Sequence, residues 1–143
     1  MTELWTNQFF ASMKKRTLTP AEERLLREGG YATGSRFFGV ETPDSDWDIL
    51  IFKDNLPPTI PMSILAYNAE EKYIHMGMKF ISAKFKREGT DRVVNLIVPF
   101  TTAELNRWTF ATSMMATLPK ELIKDKAKRV AIFEAFKAIE HRV

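Results

Sequence analysis

An α+β fold, a small mixed β-sheet packed by helices from both ends of the chain, is what this sequence predicts. Helix-start signatures stand on either side of the chain's middle: Thr19-Pro20-Ala21-Glu22 and Thr101-Thr102-Ala103-Glu104 each have the form of a capping box. Between them lie short apolar runs bounded by turn residues, over 46–52, 78–86 and 92–98, which read as strands. At 143 residues the chain is one domain, long enough to bury a core without staples. We expect a core over about residues 30–100 with helical extensions at 3–28 and 101–141.

In chain order, Trp5, Phe9 and Met13 recur four apart, so 3–16 reads as an amphipathic helix closed by the basic Lys14-Lys15-Arg16. A basic last turn is ordinarily a favourable interaction with the helix dipole and only secondarily a binding patch. The second helix starts at the Thr19 cap with proline in its first turn and ends at Gly29-Gly30, where a left-handed cap is expected. Tyr31-Ala32-Thr33 then forms a short strand. After the run 46–52 a proline-punctuated loop covers 53–61, and a short helix fits residues 60–67. The strands 78–86 and 92–98 are joined by a turn near Glu88-Gly89-Thr90-Asp91. A helix from Thr101 to about residue 116 has Leu105, Trp108, Thr112 and Met115 on one face. Pro119 interrupts, and Asp125 caps a last helix, 126–141, packed through Val130, Phe133, Phe136 and Ile139.

Composition limits the function classes. Hydrophobic residues make up 45% and charged residues 27%, as in a globular domain. There are no cysteines, which removes thiolate chemistry and disulfides and fits a reducing cytoplasm. Met1 is followed by a polar pattern and no stretch is long enough to span a bilayer, so the expected location is cytoplasmic, with no membrane partner. The net charge of +3 suits a phosphate-bearing ligand and does not itself argue for nucleic acid.

The chemistry concentrates in 33–52. Gly34-Ser35 is followed, after ten residues, by Asp46-Trp47-Asp48-Ile49. On a strand, Asp46 and Asp48 share a face while Trp47 takes the other, with Cα atoms about 6.6 Å apart at about 3.3 Å of rise per residue. Aspartate is disfavoured inside strands, so two of them leading into an apolar run call for a reason other than folding. Carboxylates at that separation can share one Mg²⁺, an ion that takes oxygen ligands at about 2.1 Å and keeps waters or phosphate oxygens. Glycine lets backbone N–H groups approach a phosphate, and Ser35 adds a hydroxyl. Arg36 either adds a charge-assisted phosphate contact or points to solvent.

The pattern Gly-Ser, ten residues, Asp-apolar-Asp-apolar resembles the signature of the nucleotidyltransferase superfamily related to DNA polymerase beta. It is similar, more closely, to small nucleotidyltransferase-like proteins of tailed bacteriophages, in which a hairpin ending in an NLIV-type strand and a helical tail resembling DKAKRVAIFEAF follow. The resemblance covers roughly residues 30–140. It implies a nucleotidyltransferase-like sheet and an enzyme that moves a nucleotide from an NTP to an acceptor hydroxyl with release of pyrophosphate, with Mg²⁺ (or Mn²⁺) as cofactor. Asp46 and Asp48 would be metal ligands and catalytic residues, and Gly34, Ser35 and Arg36 the phosphate contacts. The acceptor, a protein, RNA or small molecule, is left open, and for a phage protein the location would be the host cytoplasm. Alternatives implied are a nucleotide-binding or host-protein-binding relative without catalysis, or a nucleotidylating antitoxin of a toxin–antitoxin pair.

Asn95 is a departure from that family. The superfamily usually carries a third carboxylate on a neighbouring strand, and here the strand reads Val94-Asn95-Leu96-Ile97. An amide oxygen can coordinate a metal but brings no charge and cannot act as a base. Asn95 is therefore either a weak ligand or a satisfied buried amide, and two carboxylates suit one firmly held ion better than two. Glu88 and Asp91, in the hairpin turn, are not expected to reach the site. His75 would serve as base only if its segment folds inward. Residues 120–129 carry five positive charges, by default a solvated face, with Lys126 or Arg129 as candidate contacts to a nucleotide or an acidic acceptor.

Overall fold

The computed structural model describes residues 16–69 and 79–139. The expected helix over 3–16 and the candidate base His75 therefore lie outside the described residues, Arg16 excepted. Six α-helices and four strands are present among the described residues. They are α1 (Pro20–Gly29), β1 (Tyr31–Thr33), α2 (Gly34–Phe38), β2 (Trp47–Leu50), α3 (Met62–Asn68), β3 (Phe80–Lys86), β4 (Val93–Pro99), α4 (Thr102–Ala116), α5 (Lys120–Ile123) and α6 (Lys126–Lys137). A 3₁₀ turn, Lys53–Asn55, follows β2.

The strands form one mixed sheet in the order β1-β2-β4-β3, in which β2 and β4 are parallel and both outer pairs antiparallel. Strand parity divides it into two faces. Ile49, Ile51, Val94, Leu96, Val98, Ile81, Ala83 and Phe85 face one side, where Leu18, Leu26, Ile60 and Leu65 cover them from α1, α3 and the adjoining loops. On the other face Leu50 and Ile97 pack beneath Trp108 of α4, with Phe80 and Phe133 of α6 at the margin. The result is an α+β layer with helices on both faces.

Local signals produced the expected elements. Thr19 caps α1 with a complete capping box: its hydroxyl accepts from the Glu22 N–H, and the Glu22 carboxylate accepts from the Thr19 N–H. Thr101 accepts from the Glu104 N–H in the same way, but that glutamate turns into the protein and not back to the cap. Asp125 caps α6 by accepting from the Lys128 N–H. Gly89 has φ +75°, which explains a glycine in the β3–β4 turn.

Four expectations need correction. Gly30 does not adopt the left-handed cap; its backbone is extended, and glycine is needed there because a Cβ would meet the carbonyl oxygens of Leu50 at 2.7 Å and Leu26 at 2.9 Å. Strand β2 ends at Leu50, two residues early, because the chain turns into the 3₁₀ segment. Pro119 starts the short helix α5 instead of simply interrupting. Helix α6 stops at Lys137, and it packs through Ile132, Phe133 and Phe136, whereas Val130 and Ile139 are exposed.

Helix α6 is tied over the sheet by a buried ion pair. Glu104, 3% exposed, accepts from the Trp108 indole N–H and pairs at 3.5 Å with Lys137, 12% exposed, whose ammonium lies 4.2 Å from the Trp108 ring centre. Arg107 Nη1 also approaches Glu104, at 3.8 Å, so removing Lys137 leaves that buried carboxylate only partly compensated, which costs more than removing both Glu104 and Lys137. We predict that Lys137→Met lowers unfolding free energy by roughly 2–4 kcal/mol. In urea titrations, the Glu104→Gln/Lys137→Met double variant should lose less than the sum of the two single variants.

Candidate active site

In-register pairing sets four polar side chains side by side on the α4/α6 face. Thr33 of β1 lies opposite Asp48 of β2, Asp48 opposite Asn95 of β4, and Asn95 opposite Lys84 of β3. The next row on that face, Leu50 and Ile97, is the apolar one that Trp108 covers. The polar row stays open at the wall of a cavity of about 630 Å³. Gly34, Ser35, Asp46, Asp48, Lys84 and Asn95 all line it, with Lys124 contributed by the α5–α6 junction and Lys126 and Arg129 by α6.

Hydrogen bonds fix the acidic centre. Asp48 Oδ1 accepts from Asn95 Nδ2 at 3.1 Å, and Asn95 Oδ1 accepts from the Ser82 hydroxyl at 2.8 Å. The other oxygen, Oδ2, turns toward Gly34: a Cβ added to Gly34 would lie 1.9 Å from it. Gly34 also has φ +82°, so a side chain is disfavoured there twice over. The glycine of the Gly-Ser pair is thus what allows the aspartate to approach the start of α2. Asp46 Oδ2 pairs with Lys84 Nζ at 3.2 Å.

Burial pushes the Asp48 carboxyl up from an ordinary 3.8 to about 6. The Asn95 hydrogen bond opposes that rise, the charge of Asp46 adds to it, and Lys84 and Arg129 oppose it in turn. The folded-state value is raised, so the protonated group's contribution to stability is present at low pH and is lost as pH climbs through about 6. A carboxylate kept charged in a place that disfavours charge is a mark of functional sites.

Arg36, expected on phosphate, is not at the cavity. Its guanidinium donates to the Ser45 carbonyl from Nε at 3.1 Å and from Nη2 at 2.9 Å, and it sits 4.1 Å from the Trp47 ring centre. Trp47 takes the opposite strand parity from Asp46 and Asp48, against the other core and within 6 Å of the Arg27, Arg36 and Arg92 guanidinium carbons. Asn95 presents its amino group, not its oxygen, to Asp48, and so stands as a satisfied amide that positions the acid. Asp91 is fully exposed in its turn, where Lys86 approaches it at 3.8 Å, and neither it nor Glu88 lines the cavity. Lys126 and Arg129, the two candidate contacts on a face otherwise expected to be solvated, both line it. Two residues went unnoticed in the sequence, Ser82 and Lys84. Their signal was there: two polar residues, two apart, interrupt the buried strand β3, as Asp46 and Asp48 do at the start of β2.

Among the described residues no group of three or more His, Asp or Glu side chains is placed to hold a metal ion. Of the carboxylates lining the cavity, Asp46 and Asp48 are the pair that could hold a divalent ion, with its remaining positions left to water or phosphate oxygens. No helix among the described residues is long and apolar enough to cross a membrane. Comparison with family models, curated proteins and solved structures returned no match.

Because Asp48 is charged at a cost, its neutral isostere should stabilise the fold. We predict that Asp48→Asn raises unfolding free energy by roughly 2–3 kcal/mol above about pH 7, at about 1.4 kcal/mol per pKa unit. The gain should shrink toward zero below about pH 4, where Asp48 is protonated in wild type. Urea titrations at the two pH values measure it.

Proposed function

We propose that this protein is a nucleotidyltransferase of minimal type: a nucleotidyltransferase-like sheet that binds an NTP in the cavity and transfers its nucleotide to an acceptor hydroxyl. One observation carries this reading. The two acids and the Gly34-Ser35 corner line the same cavity, with the free oxygen of Asp48 turned toward Gly34.

On this reading each residue at the cavity has a role. Gly34 and Ser35 would receive the terminal phosphates, with Ser35 offering hydroxyl and N–H. Asp46 and Asp48 would hold a Mg²⁺, which supplies charge neutralisation and alignment at the phosphates when bound. The acceptor oxygen attacks the α-phosphorus, the bond to the β-phosphate's bridging oxygen breaks, and pyrophosphate leaves with the electron pair. The acceptor's proton passes to solvent water, because Asp48 Oδ1 is held by Asn95 and Oδ2 is the oxygen left for the ion. Lys124, Lys126 and Arg129 stand across the cavity, where an anionic nucleotide or acceptor would meet them.

A second reading is favoured by a specific observation: the Asn95 amino group faces Asp48 where the superfamily has a third acid, and Lys84 already pairs with Asp46. On that reading the cavity binds nucleotide without catalysis, in the service of a protein partner. Incubation with each α-labelled NTP, Mg²⁺ or Mn²⁺ and bacterial lysate separates the two. Transfer predicts label on protein, RNA or a small molecule that disappears in Asp46→Asn/Asp48→Asn. Label surviving that double variant sinks the assignment of the acids, and nucleotide binding without any label leaves the second reading. Mg²⁺-dependent NTP binding, followed by calorimetry, should weaken at least tenfold as pH falls from about 7 to about 5, because protonated Asp48 no longer ligates.

A further inference from the structure

The polar row ends in a cation, Lys84, on the edge strand β3. Lys84 is the β3 neighbour of Asn95, shares its strand face with Ser82, and sends its ammonium to Asp46 at 3.2 Å. Its side chain is 43% exposed, so it is not held there by the core. Its strand neighbours Ala83 and Phe85 are fully buried on the other face. Its place in the row follows from register alone: a shift of one residue in the β3–β4 pairing would turn it away from the site.

We infer that Lys84 supplies a fixed positive charge to this centre in the position where a second divalent ion would otherwise sit, so that the site works with a single ion. This rests on the nucleotide-transfer reading above. Two acids close together demand positive charge whether or not a substrate is present. A divalent ion beside Asp46 would need further oxygen ligands, and the residue best placed to provide one is Asn95. Its oxygen is committed to the Ser82 hydroxyl, and its amino group faces the acid. The ammonium needs no such ligand set: it neutralises Asp46 directly and offers donors toward bound phosphate. Asn95 and Lys84 thus explain each other. With an aspartate at 95 the site would hold a third negative charge, beside Asp46 and Asp48, and room for a second ion; with asparagine, one lysine completes the charge.

The test counts ions. Mn²⁺ bound per chain is measured by electron paramagnetic resonance in the presence of a non-hydrolysable NTP analogue, on the full-length chain. Wild type should bind one ion. Asn95→Asp alone should also bind one, because the ammonium remains. Asn95→Asp/Lys84→Met should bind two, and Asn95→Asp/Lys84→Arg should return to one, since arginine restores the charge. Circular dichroism checks that the substitutions leave the fold intact. Two ions in wild type, or one in Asn95→Asp/Lys84→Met, overturns the role of Lys84 while leaving the nucleotide site standing. No bound ion in any of the four proteins, with the analogue saturating, overturns the nucleotide-transfer reading itself and Lys84's role with it.

Discussion

The contact between Asp48 and its neighbours across the sheet sets the geometry of the candidate site. A carboxylate pushed into a half-buried position costs free energy in proportion to its lost hydration, and its pKa rises to about 6 as a consequence. It stays where it is because one oxygen accepts from Asn95, whose own oxygen is taken by Ser82, while the other fits into the space left by a glycine without a Cβ. Each of those partners comes from a different strand or from the start of α2. The acid's position is therefore a property of the whole sheet register and not of one loop.

The scaffold leaves that acid accessible. On the opposite face the sheet is sealed by Leu18, Leu26, Ile60 and Leu65. On the site face the cover is partial: α4 and α6 pack on Leu50 and Ile97 through Trp108 and Phe133, and the next row outward is polar and open. The Glu104–Lys137 pair holds α6 in that position, and α6 in turn presents Lys126 and Arg129 to the cavity. Stability elements and candidate functional elements thus share the same two helices, arranged in sequence along them.

How much of this could be read from the chain depends on the range of the interaction. Capping at Thr19, Thr101 and Asp125 is local, with the partner three residues on, and the expected caps are present. The common parity of Asp46 and Asp48, and the opposite one of Trp47, is likewise a local consequence of strand geometry. What needed partners far away in sequence was not legible. Gly30 looks like a helix stop, yet the reason for glycine is the Leu50 carbonyl arriving from β2. Arg36 follows the Gly-Ser pair directly, yet the nearest ring and carbonyl, Trp47 and Ser45, hold it away from the cavity. Lys84 and Asn95 become neighbours only through β3–β4 pairing, so their relation to Asp46 and Asp48 is invisible until the register is known. Exposure of Val130 and Ile139, which share the last helix with Phe133 and Phe136, reflects how narrow a strip of α6 the sheet can cover.

Asp48 is held where burial disfavours its charge, and on the proposed reading a cation and a nucleotide bound there relieve that cost. Carbon-13 NMR of the Asp48 carboxyl, titrated with pH, addresses that directly. Free protein should show a midpoint near 6, well above an ordinary aspartate, and Mg²⁺ with a non-hydrolysable NTP analogue should move it downward by at least one unit. A midpoint near 3.8 in free protein, or one near 6 that ignores Mg²⁺ and the analogue, would contradict the claim.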